Sequence, residues 1–133
     1  MKKLIFALLI TLVGVSVHAQ NKPLACQVDA AAGLEWENGR WITARFVRNN
    51  FILVQAGNNL TNESVAKVLN VRNPKYITCR YSDPEITCFD PFGQTLFFDP
   101  TALRGGKSRL LGSTSVQVER DSVAVEVFSC TPF

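Results

Sequence analysis

The sequence predicts an all-β domain with one short helix, folded as a small antiparallel barrel or a compact sandwich of about seven or eight short strands with two disulfides. Three observations support this prediction. Short apolar stretches alternate with turn residues along most of the chain, one segment alone has a helical pattern, and the cysteines form an even set of four. A chain of 133 residues, 47% of them hydrophobic, suffices for one domain with its own core.

The first 19 residues have the pattern of a cleaved bacterial signal peptide. Lys2 and Lys3 precede an apolar run, and Val17-His18-Ala19 supplies the small residues that signal peptidase recognises. A retained membrane anchor is the alternative, but a spanning helix needs about 20 apolar residues. We therefore expect cleavage of residues 1–19, a single β-rich domain over 20–133 without an integral membrane segment, and a periplasmic or secreted location.

The first predicted hairpin carries a tryptophan on each side of its turn. Strands 34–37 and 40–46 flank Asn38-Gly39, a pair suited to the positive φ angles of a two-residue type I′ turn. This register places Trp36 opposite Trp41, where two indoles can pack edge to face. The stretch resembles the designed tryptophan-zipper hairpins, which implies that the pair stabilises the hairpin. The alternative is a binding role, which requires that the indole pair faces water.

A strand and the single predicted helix come next. Residues 51–55 form an apolar run followed by a turn, and residues 60–69 have the helical pattern. Thr61 can cap this helix, and Leu60 with Val65 matches a hydrophobic staple. A helix of about three turns is not stable alone, so we expect it to pack on the sheet.

The remainder of the chain is predicted to form a meander and a final hairpin. Strands 75–81, 86–89 and 95–98 are separated by Asp-Pro pairs, which favour turns. From Val116 to Phe128, valines alternate with other residues on both sides of a turn at Arg120-Asp121. Such alternation is typical of strands with one buried face and one face in water.

The cysteine spacing predicts which residues are joined. Ile-Thr-Cys occurs on both sides of the turn 82–85, so a hairpin centred there puts Cys79 directly opposite Cys88. Cys26 and Cys130 then connect the two ends of the domain, which would help to close a barrel. A zinc site made of all four cysteines is the alternative, but no Cys-x-x-Cys spacing is present. We expect no metal and no cofactor.

Charge and composition exclude several classes of function. Without Lys2 and Lys3 the chain has 12 basic and 11 acidic residues, a net charge of +1, so nucleic acid is not an expected partner. The single histidine is His18, which leaves residues 20–133 without a histidine for Ser-His-Asp or Cys-His catalysis or for metal binding. We assign no catalytic residue and expect that the protein is not an enzyme.

Two stretches supply most of the candidate binding residues. The glycine-rich stretch 102–112 predicts a loop whose cations could contact an acidic partner surface or an anionic glycan; the alternative is a solvated loop without a binding role. Strand 95–98 directs Phe97 and Phe98 to opposite faces, so one of them is expected outside the core, and Phe92 could extend that patch. The complete set of predicted binding residues is Trp36, Trp41, Phe92, Phe97, Phe98, Arg104, Lys107 and Arg109.

Size, compartment and the predicted disulfides favour a small exported bacterial binding protein that acts by protein–protein contact. We expect its partner to be a protein in the cell envelope or outside the cell. The specific hypothesis is an inhibitor or immunity-type protein against an envelope-active hydrolase or toxin. Two alternatives remain: a structural or assembly component of the envelope, and a carrier that holds a small apolar ligand inside the barrel.

Overall fold

A computed structural model describes residues 21–110 and 122–133 of the chain. These residues form strands, one α-helix and one 3₁₀ turn at Pro74–Tyr76. In chain order the elements are β1 (Lys22–Glu37), β2 (Arg40–Ala44), β3 (Asn50–Ala56), β4 (Asn59–Leu60), α1 (Asn62–Val68), β5 (Thr78–Ser82), β6 (Glu85–Phe89), β7 (Gln94–Asp99), β8 (Arg104–Arg109) and β9 (Ser122–Pro132).

The strands form one antiparallel sheet that curls into a nearly closed barrel of eight strands. Their order is β4-β3-β1-β9-β8-β7-β6-β5, and the two end strands, β4 and β5, lie beside each other. The remaining strand, β2, pairs with the second half of β1, from Gly33 to Glu37. The sequence-based prediction of an all-β barrel with one short helix is confirmed.

A β-bulge in β1 changes which of its side chains face the barrel interior. Leu24, Cys26 and Val28 are buried, but the register with β9 shifts between Val28 and Ala30. Asp29 is the extra residue, and a bulge of this kind reverses the alternation that follows it. As a result Leu34 and Trp36 lie on the outer face of the sheet, although they have the same parity as the buried Val28.

Apolar side chains fill the middle of the barrel. The rings of Phe98 and Phe128 are stacked with centroids 6.3 Å apart, and Phe51 meets Phe128 edge-on at 5.0 Å. A Cβ at Gly105 would lie 2.5 Å from the Phe128 ring, so glycine allows β8 to pass over it. The other large side chains that are fully buried are Leu53, Ile86, Leu96, Val28, Val65 and Cys88.

The helix covers one edge of the sheet, as its sequence predicts. Thr61 is the N-cap, where its Oγ1 accepts a hydrogen bond from the Ser64 amide at 3.4 Å. Leu60 and Val65 are both buried, as a hydrophobic staple requires. Ser64 Oγ in turn accepts a hydrogen bond from the amide of Val54 in β3 at 3.1 Å, which ties the strand edge to the helix.

Both predicted disulfides are present. Cys79 lies directly opposite Cys88 in the β5–β6 hairpin, and Cys26 lies directly opposite Cys130 in the β1–β9 pair. No cysteine among the described residues is free. Two disulfides in a domain of this size are typical of an oxidising environment outside the cytoplasm.

Three boundaries or assignments from the sequence are wrong. The predicted loop at 102–112 contains strand β8, which pairs with β7 on one side and β9 on the other. The first strand begins at Lys22 rather than at residue 34, and the strand predicted from residue 75 begins at Thr78 after the 3₁₀ turn. The predicted strand from Val116 to Glu119 and its turn at Arg120-Asp121 lie outside the described residues.

Candidate functional site

The outer surface of β1, β9 and β7 carries exposed apolar side chains, which lie on both sides of strand β8. Leu34 of β1 is 39% exposed, Val125 and Val127 of β9 are 54% and 48% exposed, and Phe97 of β7 is 43% exposed. Leu34 lies opposite Val123, and Val127 lies opposite Gly106, which in turn lies opposite Phe97. We call this surface the outer apolar face; it consists of Leu34, Trp36, Trp41, Phe97, Val123, Val125 and Val127.

The tryptophan pair lies at one end of the outer apolar face. Trp36 and Trp41 are opposite each other as predicted, with ring centroids 5.3 Å apart at an interplanar angle of 72°. Both are half-buried, because Ile42 and its neighbour Ala44 take the inner side of β2. The pair therefore both stabilises the hairpin and exposes indole surface to the outside.

At the other end, the outer apolar face is interrupted by a groove over Gly106. Phe97 and Val127 form its two walls, and the groove has a volume of about 630 Å³. Gly106 lies between the walls in the register of β7, β8 and β9 and contributes no side chain. A Cβ at Gly106 would meet one atom within 4 Å, the Glu126 carbonyl oxygen at 3.2 Å, which is a tight contact with the backbone; no side chain lies within that distance.

Charged side chains surround this groove. Three carboxylates and one guanidinium line it, those of Asp29, Glu85, Asp99 and Arg104. Asp29 Oδ1 accepts a hydrogen bond from the Ser129 hydroxyl at 3.1 Å. Asp99 Oδ1 accepts from the amides of Thr101 and Ala102, at 2.8 and 3.0 Å. With three acids and one base, the rim of the groove is net negative.

The predicted group of cations does not form one surface. Arg104 shares the outer side of β8 with Gly106 and lines the groove, whereas Lys107 and Arg109 have the opposite parity and face inward. Lys107 Nζ lies 3.1 Å from Glu126 Oε2 and 5.4 Å from the centre of the Phe51 ring. Because stretch 102–112 contains a strand and not a loop, the prediction of a single basic contact surface is wrong.

Lys107 and Glu126 belong to a small polar cavity at one end of the barrel. This cavity has a volume of about 180 Å³ and is also lined by Gln94, Arg109 and Ser122. Phe46 covers part of it, and the ring packs so closely on β1 that a Cβ at Gly33 would lie 2.6 Å away from it. The arrangement is that of a partly buried ion pair between Lys107 and Glu126, beside the apolar side chains of Val68 and Leu69.

The predicted phenylalanines have three different environments. Phe97 faces outward and Phe98 is completely buried, which confirms that the two point to opposite faces. Phe98 is therefore a core residue, although it also lines the groove, and its predicted role in binding stays a prediction. Phe92 is exposed but packs edge-on against Tyr76, with centroids 6.5 Å apart, and it does not line the groove.

Several residues of the site were missed in the sequence. Val125 and Val127 alternate clearly with polar or small residues, but alternation does not say which side is buried. The sequence predicts a loop at Gly106, because two adjacent glycines are unusual in a strand. The position of Asp29 depends on the bulge, for which the sequence has no signal.

The titratable side chains of the described residues do not form a metal site. Within 21–110 and 122–133, no three His, Cys, Asp or Glu side chains are close enough to hold a metal ion. The hydrogen bond from the Tyr81 hydroxyl to Asp83 Oδ1, 2.9 Å long, raises the pKa of this exposed phenol above its usual value, which makes it a poorer nucleophile or base at neutral pH. None of the helices in the described ranges could cross a membrane, since each is too short or too polar.

Comparison with known proteins does not place this chain in a family. No family model matches it, and neither a curated protein nor a solved structure matches it. The geometry of the described residues is therefore the sole basis for a functional proposal.

Proposed function

We propose that this protein is exported from the bacterial cytoplasm and acts in the periplasm or outside the cell by binding another protein through the outer apolar face. The observation that carries the proposal is the row of exposed Leu34, Val125, Val127 and Phe97 side chains. From the spacings within and between strands, the row covers roughly 20 Å by 14 Å. The largest exposed apolar patch on a soluble monomer typically covers about 300–600 Å² and is often an interaction site.

The composition of the face also resembles that of a protein interface. Aromatic residues are enriched at the centre of interfaces, and this face includes two tryptophans and a phenylalanine. It lies on the rigid sheet and not on loops, so little conformational freedom would be lost when a partner binds. Its middle contains no charged side chain, which keeps the cost of desolvation low.

Within this class, we propose an inhibitor or immunity-type protein that blocks an envelope-active hydrolase or toxin. Such a role requires a rigid, disulfide-linked binding surface in the periplasm or outside the cell, and no catalytic group of its own. The alternative role as a carrier of an apolar ligand is less favoured, because Phe98, Phe128 and Leu53 occupy the barrel interior. An envelope assembly component would use the same face and would self-associate.

The experiment that tests this proposal is capture from envelope extract with tagged residues 20–133. The unmodified domain is compared with a Val125→Ser/Val127→Ser variant and with Ile52→Ser, a matched control in which an exposed apolar side chain outside the face is changed. We expect a stoichiometric partner with the unmodified domain and the control, and loss of that partner with the double variant. Capture of no partner, or equal capture by both variants, would contradict the proposal.

The inhibitor role needs a second measurement. The purified domain is added to a panel of peptidoglycan- and glycan-cleaving enzymes, and the rate of each is measured over a range of inhibitor concentrations. We expect inhibition of at least one enzyme that is relieved by the Val125→Ser/Val127→Ser change and kept by Ile52→Ser. If the captured partner is not a lytic enzyme or toxin and no rate falls, the inhibitor role is wrong although the binding role stands.

A further inference from the structure

We infer that the partner of this protein presents an apolar side chain flanked by lysine or arginine, which inserts into the groove over Gly106 between Phe97 and Val127. This inference rests on the proposed function, because it specifies the chemistry of the partner that the outer apolar face binds. It is argued from the shape of the groove and from the charges around it.

The shape of the groove fits one inserted side chain. Strands β7 and β9 are separated only by β8, so their axes are about 9.6 Å apart. Phe97 and Val127 both point outward from those two strands, and Gly106 leaves the space between them empty. Both walls are apolar, so a leucine, methionine or aromatic side chain placed there would be buried on two sides and against the floor.

The charges of the rim determine which residues should flank that side chain. Asp29, Glu85 and Asp99 supply three negative charges, and Arg104 supplies one positive charge. Arg104 lies directly opposite Asp99 in the β7–β8 pair, so the positive charge of Arg104 is already compensated in part within the rim. Complementary charges at an interface rim accelerate association and exclude wrong partners.

The net charge of the groove rim is opposite in sign to the net charge of the whole chain. The chain has a formal net charge of +3, and most of the cations of β8 do not reach the groove. Lys107 faces the interior and is paired with Glu126, and Arg109 is also on the inner side of the strand. The separation of charge between the two sides of β8 therefore leaves a local negative field where the groove is, and this field favours a basic partner segment.

Three blocked heptapeptides serve as probes of this groove. The first has a central phenylalanine with lysines on both sides, the second has the same phenylalanine with glutamates, and the third has the lysines with a central glycine. Binding to ¹⁵N-labelled residues 20–133 is followed by amide chemical shifts. We expect the first peptide to shift the amides of Phe97, Gly106 and Val127, to bind at least several-fold more tightly than either other peptide, and to weaken as salt is added.

Two variants separate the charge of the rim from the shape of the groove. Glu85→Gln removes one negative charge from the rim without removing a hydrogen bond that the turn needs. It should weaken binding of the lysine peptide by roughly two- to five-fold. Gly106→Val fills the groove and Phe97→Ser removes one wall at an exposed position; each should abolish the shifts. The amide spectrum of each variant shows whether the domain is still folded, and Phe97→Ser remains informative if Gly106→Val does not fold.

Failure of this inference is distinguishable from failure of the proposed function. If the glutamate peptide binds as well as the lysine peptide, or if the shifts lie elsewhere on the barrel, the inference is overturned. If the Val125→Ser/Val127→Ser variant loses its captured partner while Glu85→Gln keeps full affinity for it, the proposed function stands and the charge preference is wrong. If sedimentation shows a dimer that covers the groove amides, a second copy of the chain is the occupant and the inference is overturned as well.

Discussion

The two faces of β9 show how little the hydrophobicity of a strand says about its burial. On the inner side Phe128 and Cys130 are buried, but the same side also carries Glu126, which is paired with Lys107. On the outer side Val125 and Val127 are about half exposed, although valine is among the residues most often buried. The residues on the inner face are explained by what they contact there, namely the disulfide to β1 and the stacked phenylalanine rings. The valines are apolar for another reason, which we propose is a partner.

The largest expected loss of stability comes from removing the disulfide that joins β1 and β9 on the inner face. Removal of the Cys26–Cys130 disulfide by double substitution with serine opens a loop between residues 104 positions apart, whereas Cys79–Cys88 closes a loop of 9. Loop-closure entropy predicts a loss of about 4.7 kcal/mol for a loop of about 100 residues and less than about 3 kcal/mol for one below 15 residues. Urea unfolding of the two double variants measures the difference.

This comparison has its own control, because both disulfides join directly opposed residues of antiparallel strands and both lie on the inner face. Equal losses of stability in the two variants would show that loop length does not explain the effect. A larger loss for the Cys79–Cys88 variant would show that the β5–β6 hairpin, and not the β1–β9 pair, holds the barrel together.

The second expected effect contrasts neighbouring residues on opposite faces of β9. Phe128→Ala removes a ring that packs on Phe98 and Phe51, and we expect a loss of about 3–5 kcal/mol in the free energy of unfolding. Val127→Ala, one position away on the outer side, should cost about 0.5 kcal/mol or slightly more, because the side chain is half exposed. Denaturant midpoints at constant slope test both values. A cost above about 2 kcal/mol for Val127→Ala would mean that the outer face is structural.

The parts of this fold that depend on local rules could be predicted from the sequence. The Asn38-Gly39 turn, the Thr61 cap and the symmetric Ile-Thr-Cys repeats act through residues close in the chain, and all three are observed. The β1 and β8 strands could not be predicted in full, because Ala30-Ala31-Ala32 and Gly105-Gly106 have low strand propensity. They are strands because each lies between two others, a condition that only the complete sheet supplies.

In the candidate site too, the features that depend on local rules could be predicted from the sequence, and those that depend on the complete sheet could not. The paired tryptophans follow from the hairpin turn and from alternation along its strands, so the sequence predicts them; alternation also predicts that one of Phe97 and Phe98 faces outward, but not which one. The groove requires two further conditions that do not act locally: a register that aligns Gly106 with both walls, and a bulge that turns Asp29 to the rim. The cations of 102–112 looked like one group because they are close in the sequence, but a strand sends neighbours to opposite sides.

The smallest expected effect is on the Trp36–Trp41 pair, and it decides how much of the outer apolar face is structural. An edge-to-face pair contributes about 0.5–1.5 kcal/mol beyond the area it buries. A double-mutant cycle with Trp36→Ala, Trp41→Ala and the combined variant should give a coupling energy in this range. Acrylamide should quench the fluorescence of the unmodified domain in part, because both indoles are partly exposed.

The same variants can also be tested for capture of the partner, which shows whether the tryptophans contribute to binding as well as to stability. If the single variants remain folded and lose the partner, the indoles contribute to both the hairpin and the interface, and the binding surface extends to the end of β1 that carries Trp36. If they lose about 1 kcal/mol of stability but keep the partner, the pair serves only the hairpin. The binding surface is then confined to Val125, Val127 and Phe97, beside the groove whose rim carries the negative charge.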